Sequence, residues 1–157
     1  MHKITFRPMT IADYEEVRAL WLTIQGFGIR TLDDSREDIS RFIDRNPTTS
    51  VVARADGKII GSILCGSDGR QGSLYHVCVA REFRRQGVGT RMVGYCMHQL
   101  RRLGINKVAL IAFTGNSAGN AFWKQIGWTR SDVNYYEFVL NEENITQFIT
   151  GAENENS

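Results

Sequence analysis

Residues 74–91 read LYHVCVAREFRRQGVGTR, and this stretch decides the fold. An apolar run is followed by an arginine-rich link and by Gly87 and Gly89, so the pattern predicts a strand, a loop and then a helix. The free N–H groups and the dipole of a helix N-terminus favour an anion, and glycine lets the backbone approach it closely. Arginine side chains suit phosphate oxygens. The loop is therefore predicted to hold a phosphate-bearing ligand, and the alternative is that its glycines only cap the helix.

Two familiar phosphate-binding loops are excluded by residues that this stretch lacks. A dinucleotide fingerprint needs a third glycine in G-x-G-x-x-G, where this chain has Met92. A P-loop needs Lys followed by Ser or Thr after its second glycine, whereas Gly89 is followed by Thr90 and Arg91. A nucleotide bound in either of these ways is not expected.

Composition narrows the class of protein and of ligand. The 157 residues suit one domain, and the formal net charge is only +2. Residues 81–102 contain six arginines against one acid, Glu82, which suits a small anion better than a nucleic acid with its need for a wide basic face. The cysteines are widely spaced without a C-x-x-C pair, so they predict neither a disulfide framework nor a metal site. They are Cys65, Cys78 and Cys96.

The chain shows no targeting or membrane signal. Its N-terminus lacks the apolar segment of a signal peptide, and no apolar run reaches transmembrane length. A cytoplasmic protein without a membrane partner is expected. Residues 1–150 are predicted to form the domain, and the acidic residues 151–157 are predicted to be a disordered tail.

Periodicity and turn residues predict one mixed α/β sheet with helices on both faces. The expected order is strand, two helices, three strands, helix, strand, helix and strand, followed by a helical turn within 141–149. The predicted strands are 3–7, 51–55, 58–65, 73–80, 107–113 and 133–140, and the predicted helices are 11–25, 35–46, 87–103 and 117–126.

Two motifs carry a resemblance to a known family. The stretch from Leu74 to Gly104 resembles the central acetyl-CoA-binding motif of the GNAT superfamily of N-acetyltransferases, whose R-x-x-G-x-G is filled by Arg84, Gly87 and Gly89. Residues 116–128, NSAGNAFWKQIGW, resemble the second motif of that superfamily. The resemblance extends from about residue 4 to residue 140, so it covers nearly the whole domain.

The resemblance implies a fold, a co-substrate and a set of contacts. The sheet is expected to splay between its fourth and fifth strands, with acetyl-CoA in the gap and no metal. A primary amine would attack the thioester directly, and a strand N–H near Val79 would stabilise the developing oxyanion. The residues expected to bind acetyl-CoA are Val77, Cys78 and Val79 by their backbone, Arg84, Arg85, Gln86, Gly87, Val88, Gly89 and Thr90 around the pyrophosphate, and Asn116, Phe122 and Trp123 along the pantetheine and thioester.

The general base is left between three side chains of the fourth predicted strand. Strict alternation places Ser73, Tyr75, Val77 and Val79 on one face and His76 on the other. The resemblance puts the base on the first face, which favours Tyr75 or Ser73. Histidine is the residue type that best suits a general base near neutral pH, and the alternative role of His76 is a packed, hydrogen-bonded core histidine. A bulge in this strand would change the assignment.

The general acid is also open. The resemblance expects a tyrosine that protonates the leaving thiolate, but the matching position holds Trp123, whose indole is not a useful acid. Tyr135 and Tyr136 of the last predicted strand are candidates, with an aromatic packing pair as the alternative. A thiolate can also leave without an acid, because thiols are acidic.

The sequence therefore indicates an acetyl-CoA-dependent N-acetyltransferase with an unnamed amine acceptor. The alternative is a module that binds acetyl-CoA without turnover. Residues 26–30 are expected to form an acceptor wall. The short segment from Gly127 to Leu140 leaves the acceptor site either open or completed by a second subunit, so a homodimer is a further expectation.

Overall fold

The computed structural model describes residues 2–150, and in these the predicted mixed α/β architecture is confirmed. A five-stranded sheet has the order β1-β3-β4-β5-β6, and a separate pair joins β2 to β7. β5 and β6 are parallel, and the other neighbours are antiparallel. The strands are β1 (Ile4–Pro8), β2 (Gly28–Arg30), β3 (Val51–Ala55), β4 (Lys58–Ser67), β5 (Gly72–Val79), β6 (Val108–Ala109) and β7 (Thr146–Phe148). The helices are α1 (Tyr14–Leu22), α2 (Arg36–Arg45), α3 (Val88–Arg102) and α4 (Ser117–Gln125), with 3-10 turns at Ile11–Asp13 and Arg81–Phe83.

Polar caps fix where the helices of the N-terminal half begin. The Asp13 carboxylate accepts a hydrogen bond from the Thr10 N–H at 2.9 Å and two from the Arg7 guanidinium at 2.7 Å. The Ser35 hydroxyl accepts from the Asp38 N–H at the start of α2. These side chains satisfy N–H groups that a helix start leaves without an intrahelical partner.

The sheet separates two apolar cores, because successive residues of a strand point to opposite faces. Val51 and Ala53 face α3, together with Met92 and Cys96 of that helix. Val52 faces α1 and α2 on the other side, where Trp21 is fully buried among its neighbours. The sheet is thus covered on both faces, as predicted.

Two predicted strands are much shorter or missing. Of the expected strand 107–113 only Val108–Ala109 is a strand, and Ile111 and Phe113 are well exposed. Residues 133–140 form no strand, because no neighbouring strand in the described chain pairs with them and their apolar side chains lie in solvent. Within 141–149 the chain forms β7, which pairs with the unpredicted β2.

Two expectations about the chain as a whole are limited by the described range. The predicted tail, residues 151–157, lies outside the described residues. Within residues 2–150 no helix has the length and apolar character needed to cross a membrane.

Candidate active site

The sheet opens beside the second half of β5. Within the described chain, β6 pairs with β5 only at Gly72 with Val108 and Ser73 with Ala109. From Leu74 onward β5 has no pairing with β6, in agreement with the predicted splay between the fourth and fifth strands of the main sheet. The edge of β5 that faces this gap is a row of backbone groups without a neighbouring strand, and such an edge can pair with an extended ligand.

The backbone direction at the end of β5 can be read from its hydrogen bonds. The Ala80 N–H donates to the Ile60 carbonyl at 2.7 Å, on the β4 side. Because alternate residues direct their N–H and C=O groups to opposite neighbours, Val79 directs its groups toward the gap. The Val79 carbonyl accepts from the Arg84 guanidinium at 3.1 Å. Arg84 therefore ties the loop to the end of the strand.

The loop between β5 and α3 is shaped by two left-handed residues. Arg85 has φ of 63° and Gly87 has φ of 77°, and α3 begins at Val88. Residues in this conformation next to a helix start turn successive N–H groups to one side and form an anion-binding concavity. A Cβ on Gly87 would meet nothing within 4 Å, so the space above the loop is open.

Gly89 has a second reason to lack a side chain. A Cβ on this residue would lie 3.3 Å from the Phe122 ring of α4. The Phe122 and Trp123 rings lie 4.9 Å apart, and Trp128 lies 4.7 Å from Trp123. The two sequence motifs therefore meet through an aromatic cluster at the start of α3. Asn116 caps α4, where its side-chain oxygen accepts from the Gly119 N–H at 3.0 Å.

The arginines of the arginine-rich segment, residues 81–102, do not all face the loop. Arg91 lies over the Phe6 ring at 4.4 Å, which is a cation–π contact with β1. Arg84 is held by Val79, as described above. The segment thus provides both positive charge near the loop and packing for the sheet.

A bulge in β5 corrects the predicted alternation of its side chains. Cys78 lies opposite Ser62, but Tyr75 lies opposite Leu64, so three steps on β5 match two on β4. Leu74 packs in the α3 core and Cys78 in the core of α1 and α2, although a regular strand would put both on one face. Ser73 and Tyr75 therefore do not share a face with Val77 and Val79, because the extra residue reverses the alternation.

His76 is the residue at the bulge. It has φ of 52°, and its imidazole Nε2 lies 2.7 Å from Asp34 Oδ1. The Trp21 and Phe27 rings each lie 4.8 Å from the imidazole. Within the described range, Nε1 of Trp21 is the one buried side-chain nitrogen or oxygen without a hydrogen-bond partner. The bulge thus places His76 on the α1 and α2 face, in a site lined by aromatic rings.

Tyr75 is about half exposed, and its ring meets Phe42 edge-on at 6.1 Å. Beside it lies a groove of about 280 Å³ between α2 and the strands β4 and β5. Its polar lining includes Arg45, Asp68 and Ser73. The segment predicted as an acceptor wall contains β2, which pairs with β7. Just before β2, the Phe27 carbonyl accepts a hydrogen bond from the Ile149 N–H at 2.9 Å.

The remaining predicted site residues are placed as follows. The Tyr135 hydroxyl donates to Glu137 at 3.3 Å in an exposed segment, so its role stays a prediction. Burial raises the pKa of the Cys78 thiol to about 11, so this side chain is not a nucleophile, and its predicted contribution is through the backbone. Among residues 2–150 no three His, Cys, Asp or Glu side chains are grouped to bind a metal ion.

Asp34 was missed by the sequence reasoning. It lies in the loop between β2 and α2, 42 residues before its partner His76, and is almost fully buried. The sequence alone offers one weak signal, an Asp33–Asp34 pair directly before the Ser35 cap, which is also typical of an ordinary helix start.

Comparison with known proteins agrees with this geometry. The sequence profile of the GNAT family of acetyltransferases matches residues 14–128 of the chain. An acetyltransferase of Pectobacterium atrosepticum is 28% identical over 120 residues, which are 76% of this chain and 84% of that protein. The solved structure of PaiA N-acetyltransferase from Thermoplasma acidophilum in complex with coenzyme A has a TM-score of 0.72 at 18% identity, over 84% of this chain and 93% of that one. Ard1 from Thermoplasma volcanium has a TM-score of 0.67 at 22% identity, over 79% and 81% of the two chains.

Proposed function

Because this chain belongs to the GNAT family of acetyltransferases, we propose that it transfers the acetyl group of acetyl-CoA to a primary amine. The observation that carries the proposal is the open edge of β5, which leads directly into the left-handed loop at the start of α3. A thioester arm and a pyrophosphate need these two features side by side. The similarity in fold to a structure that contains coenzyme A supports this choice of donor.

The donor is proposed to lie along β5 and over the loop. The pantetheine pairs with the gap-facing groups of Val77 to Val79, as an added strand does. The pyrophosphate rests on the N–H groups of residues 85–90, where the helix dipole of α3 also favours negative charge. Phe122 and Trp123 line the thioester end, and Asn116 lies at the start of α4 beside them.

The acceptor is proposed to approach from the α1 and α2 face. Tyr75, His76 and the groove next to Phe42 lie on that side of the sheet, where Ile29 of β2 packs against the same core. The amine nitrogen attacks the thioester carbonyl carbon, so that a C–N bond forms and the C–S bond breaks. The Val79 N–H faces the gap and is proposed to stabilise the oxyanion. The thiolate leaves with the electron pair of the C–S bond.

Two measurements on the unmodified protein test the donor and the reaction separately. Isothermal calorimetry is expected to show acetyl-CoA binding, and no heat at high micromolar ligand would overturn the donor assignment. Thiol release is then measured with a panel of primary amines, peptides and aminoglycosides, with acetyl-CoA alone as the control for hydrolysis. At least one amine is expected to raise the rate. Binding without amine-dependent release would contradict an acetyltransferase and support a binding module.

A second copy of the chain is proposed to cover residues 133–140. Tyr136, Phe138 and Leu140 are each more than 85% exposed, and single chains rarely leave an apolar run of this kind in solvent. Within residues 2–150, the outer edge of β6 has no neighbouring strand, and residues 133–140 have a strand pattern but no pairing partner. In a symmetric dimer, residues 133–140 of each copy would pair with the β6 edge of the other copy, so that both the segment and the edge gain a partner. Light scattering should then give about twice the chain mass of 17.8 kDa.

A further inference from the structure

Asp34 is held in one orientation by contacts on several sides. One carboxylate oxygen, Oδ2, accepts the Arg30 N–H at 2.7 Å. The other, Oδ1, lies 2.7 Å from Nε2 of His76. The Asp34 carbonyl accepts the Tyr14 hydroxyl at 2.6 Å, within the α1 core. A carboxylate held in one orientation can in turn orient the imidazole of His76 to which it is hydrogen-bonded.

The backbone and ring of His76 are also fixed in one orientation. Its left-handed backbone is uncommon for a residue with a side chain, and strained residues of this kind cluster at functional sites. Trp21 and Phe27 set the plane of the ring from the apolar side. Within residues 2–150, Asp34 is the charged group that is hydrogen-bonded to the imidazole, while the neighbouring Asp33 pairs with the Arg30 guanidinium at 3.2 Å instead.

We propose that Asp34 is a positioning residue that holds His76 as the general base for the acceptor amine, an inference that rests on the proposed function. A carboxylate accepts hydrogen bonds, so the hydrogen of the neutral ring lies on Nε2 and the lone pair lies on Nδ1. No hydrogen bond in the described chain occupies Nδ1. As the amine attacks the thioester, its proton passes to Nδ1, and the Asp34 carboxylate stabilises the imidazolium that results. The thiolate leaves, and the imidazolium then returns its proton to solvent.

Nuclear magnetic resonance tests the tautomer without any acceptor. The chain has three histidines, and the ring nitrogens of His76 are assigned by the loss of their signals in His76→Gln. Long-range ¹H–¹⁵N spectra at a pH where the ring is neutral are expected to show hydrogen on Nε2. Hydrogen on Nδ1 in the unmodified protein would overturn the proposal, whatever the activity of the variants.

Asp34→Asn tests the positioning role. The Arg30 N–H needs an acceptor, so the amide oxygen takes the place of Oδ2 and the amide NH₂ faces Nε2. That arrangement moves the ring hydrogen to Nδ1 and removes the base. With the amine that gives the fastest thiol release, kcat is expected to fall about 100-fold, while the KM for acetyl-CoA stays within about twofold. The pH dependence of kcat/KM should also change, because His76 no longer acts as the base in this variant.

Asp33→Asn is the matched control, since it removes the same charge one residue away, from an exposed side chain. It is expected to leave the tautomer, kcat and the pH profile unchanged. Equal kcat values for Asp34→Asn and the unmodified protein, with both variants folded, would refute the dyad. If Asp34→Asn does not fold, the tautomer of the unmodified protein still decides. If no amine is turned over, the proposed function fails while the tautomer still tests the pairing of Asp34 with His76.

Discussion

At the scale of single residues, Gly87 offers the sharpest test of the phosphate loop. We expect Gly87→Glu to weaken acetyl-CoA binding at least about 100-fold, because the side chain and its negative charge enter the open space above the loop. Calorimetry on the purified variant measures the change. Affinity within about threefold of the unmodified protein would show that the loop does not hold the pyrophosphate.

Gly104→Glu is the control for backbone strain. Gly104 has φ of 79°, close to the 77° of Gly87, and it lies at the opposite end of α3 with equally open surroundings. A loss of stability common to both variants reports the left-handed backbone. A loss of binding found only in Gly87→Glu reports the ligand.

The positions of residues that depend on local chain geometry were predictable. Arg84, Gly87 and Asn116 stand where a strand, a loop and a helix start follow one another, and the sequence shows that order directly. The face of His76 was not predictable, because the bulge is set by pairing between β5 and β4. Its partner Asp34 comes from a loop 42 residues away, and no periodicity relates the two.

At the scale of elements, the bidentate contact between Arg7 and Asp13 joins β1 to the start of α1. Burial would raise the pKa of the Asp13 carboxyl, but the hydrogen bonds from Arg7 and from the Thr10 N–H keep it below its ordinary value. The stability that this depressed pKa supplies is complete above about pH 5 and is lost as the pH falls through the acid range.

Arg7→Met is therefore expected to cost about 1 kcal/mol in unfolding free energy at pH 7, since Arg7 is partly exposed and solvent screens the pair. The difference should be smaller at pH 3 than at pH 7, because the stability that comes from the lowered pKa of Asp13 is lost as the pH falls through the acid range. Urea unfolding at the two pH values measures it. Arg41→Met, which removes the ion pair between the exposed Arg41 and Asp38, is the control and should change little. A cost for Arg7→Met that is equal at both pH values would contradict this account.

Strands that pair with a neighbour close in the sequence were predicted better than strands that depend on a distant edge of the sheet. The hairpin of β3 and β4 pairs within one short segment, and its bounds are close to those predicted. The strands expected at 107–113 and 133–140 have the right composition, yet a strand exists only where a neighbouring edge meets it. Composition alone cannot supply that edge.

At the scale of the whole molecule, the exposed segment 133–140 is the contact of the proposed dimer. The double variant Tyr136→Glu with Phe138→Glu is expected to weaken the dimer at least about tenfold, because it would bury two unpaired charges at the interface. Sedimentation over a range of concentrations measures the dissociation constant. Leu22→Glu with Leu103→Glu places the same two charges on exposed apolar positions elsewhere and should leave it unchanged. A monomeric unmodified protein would contradict the assembly.

The bulge at His76 reverses the alternation of side chains along β5. Before the bulge, an even-numbered residue such as Leu74 packs in the α3 core. After it, an even-numbered residue such as Cys78 packs in the core of α1 and α2. Deleting His76 would restore regular pairing with β4, and it would leave Cys78 and Val79 on the faces that they now occupy. The added residue therefore places His76 beside Tyr75 on the α1 and α2 face, without changing the face of any residue that follows it.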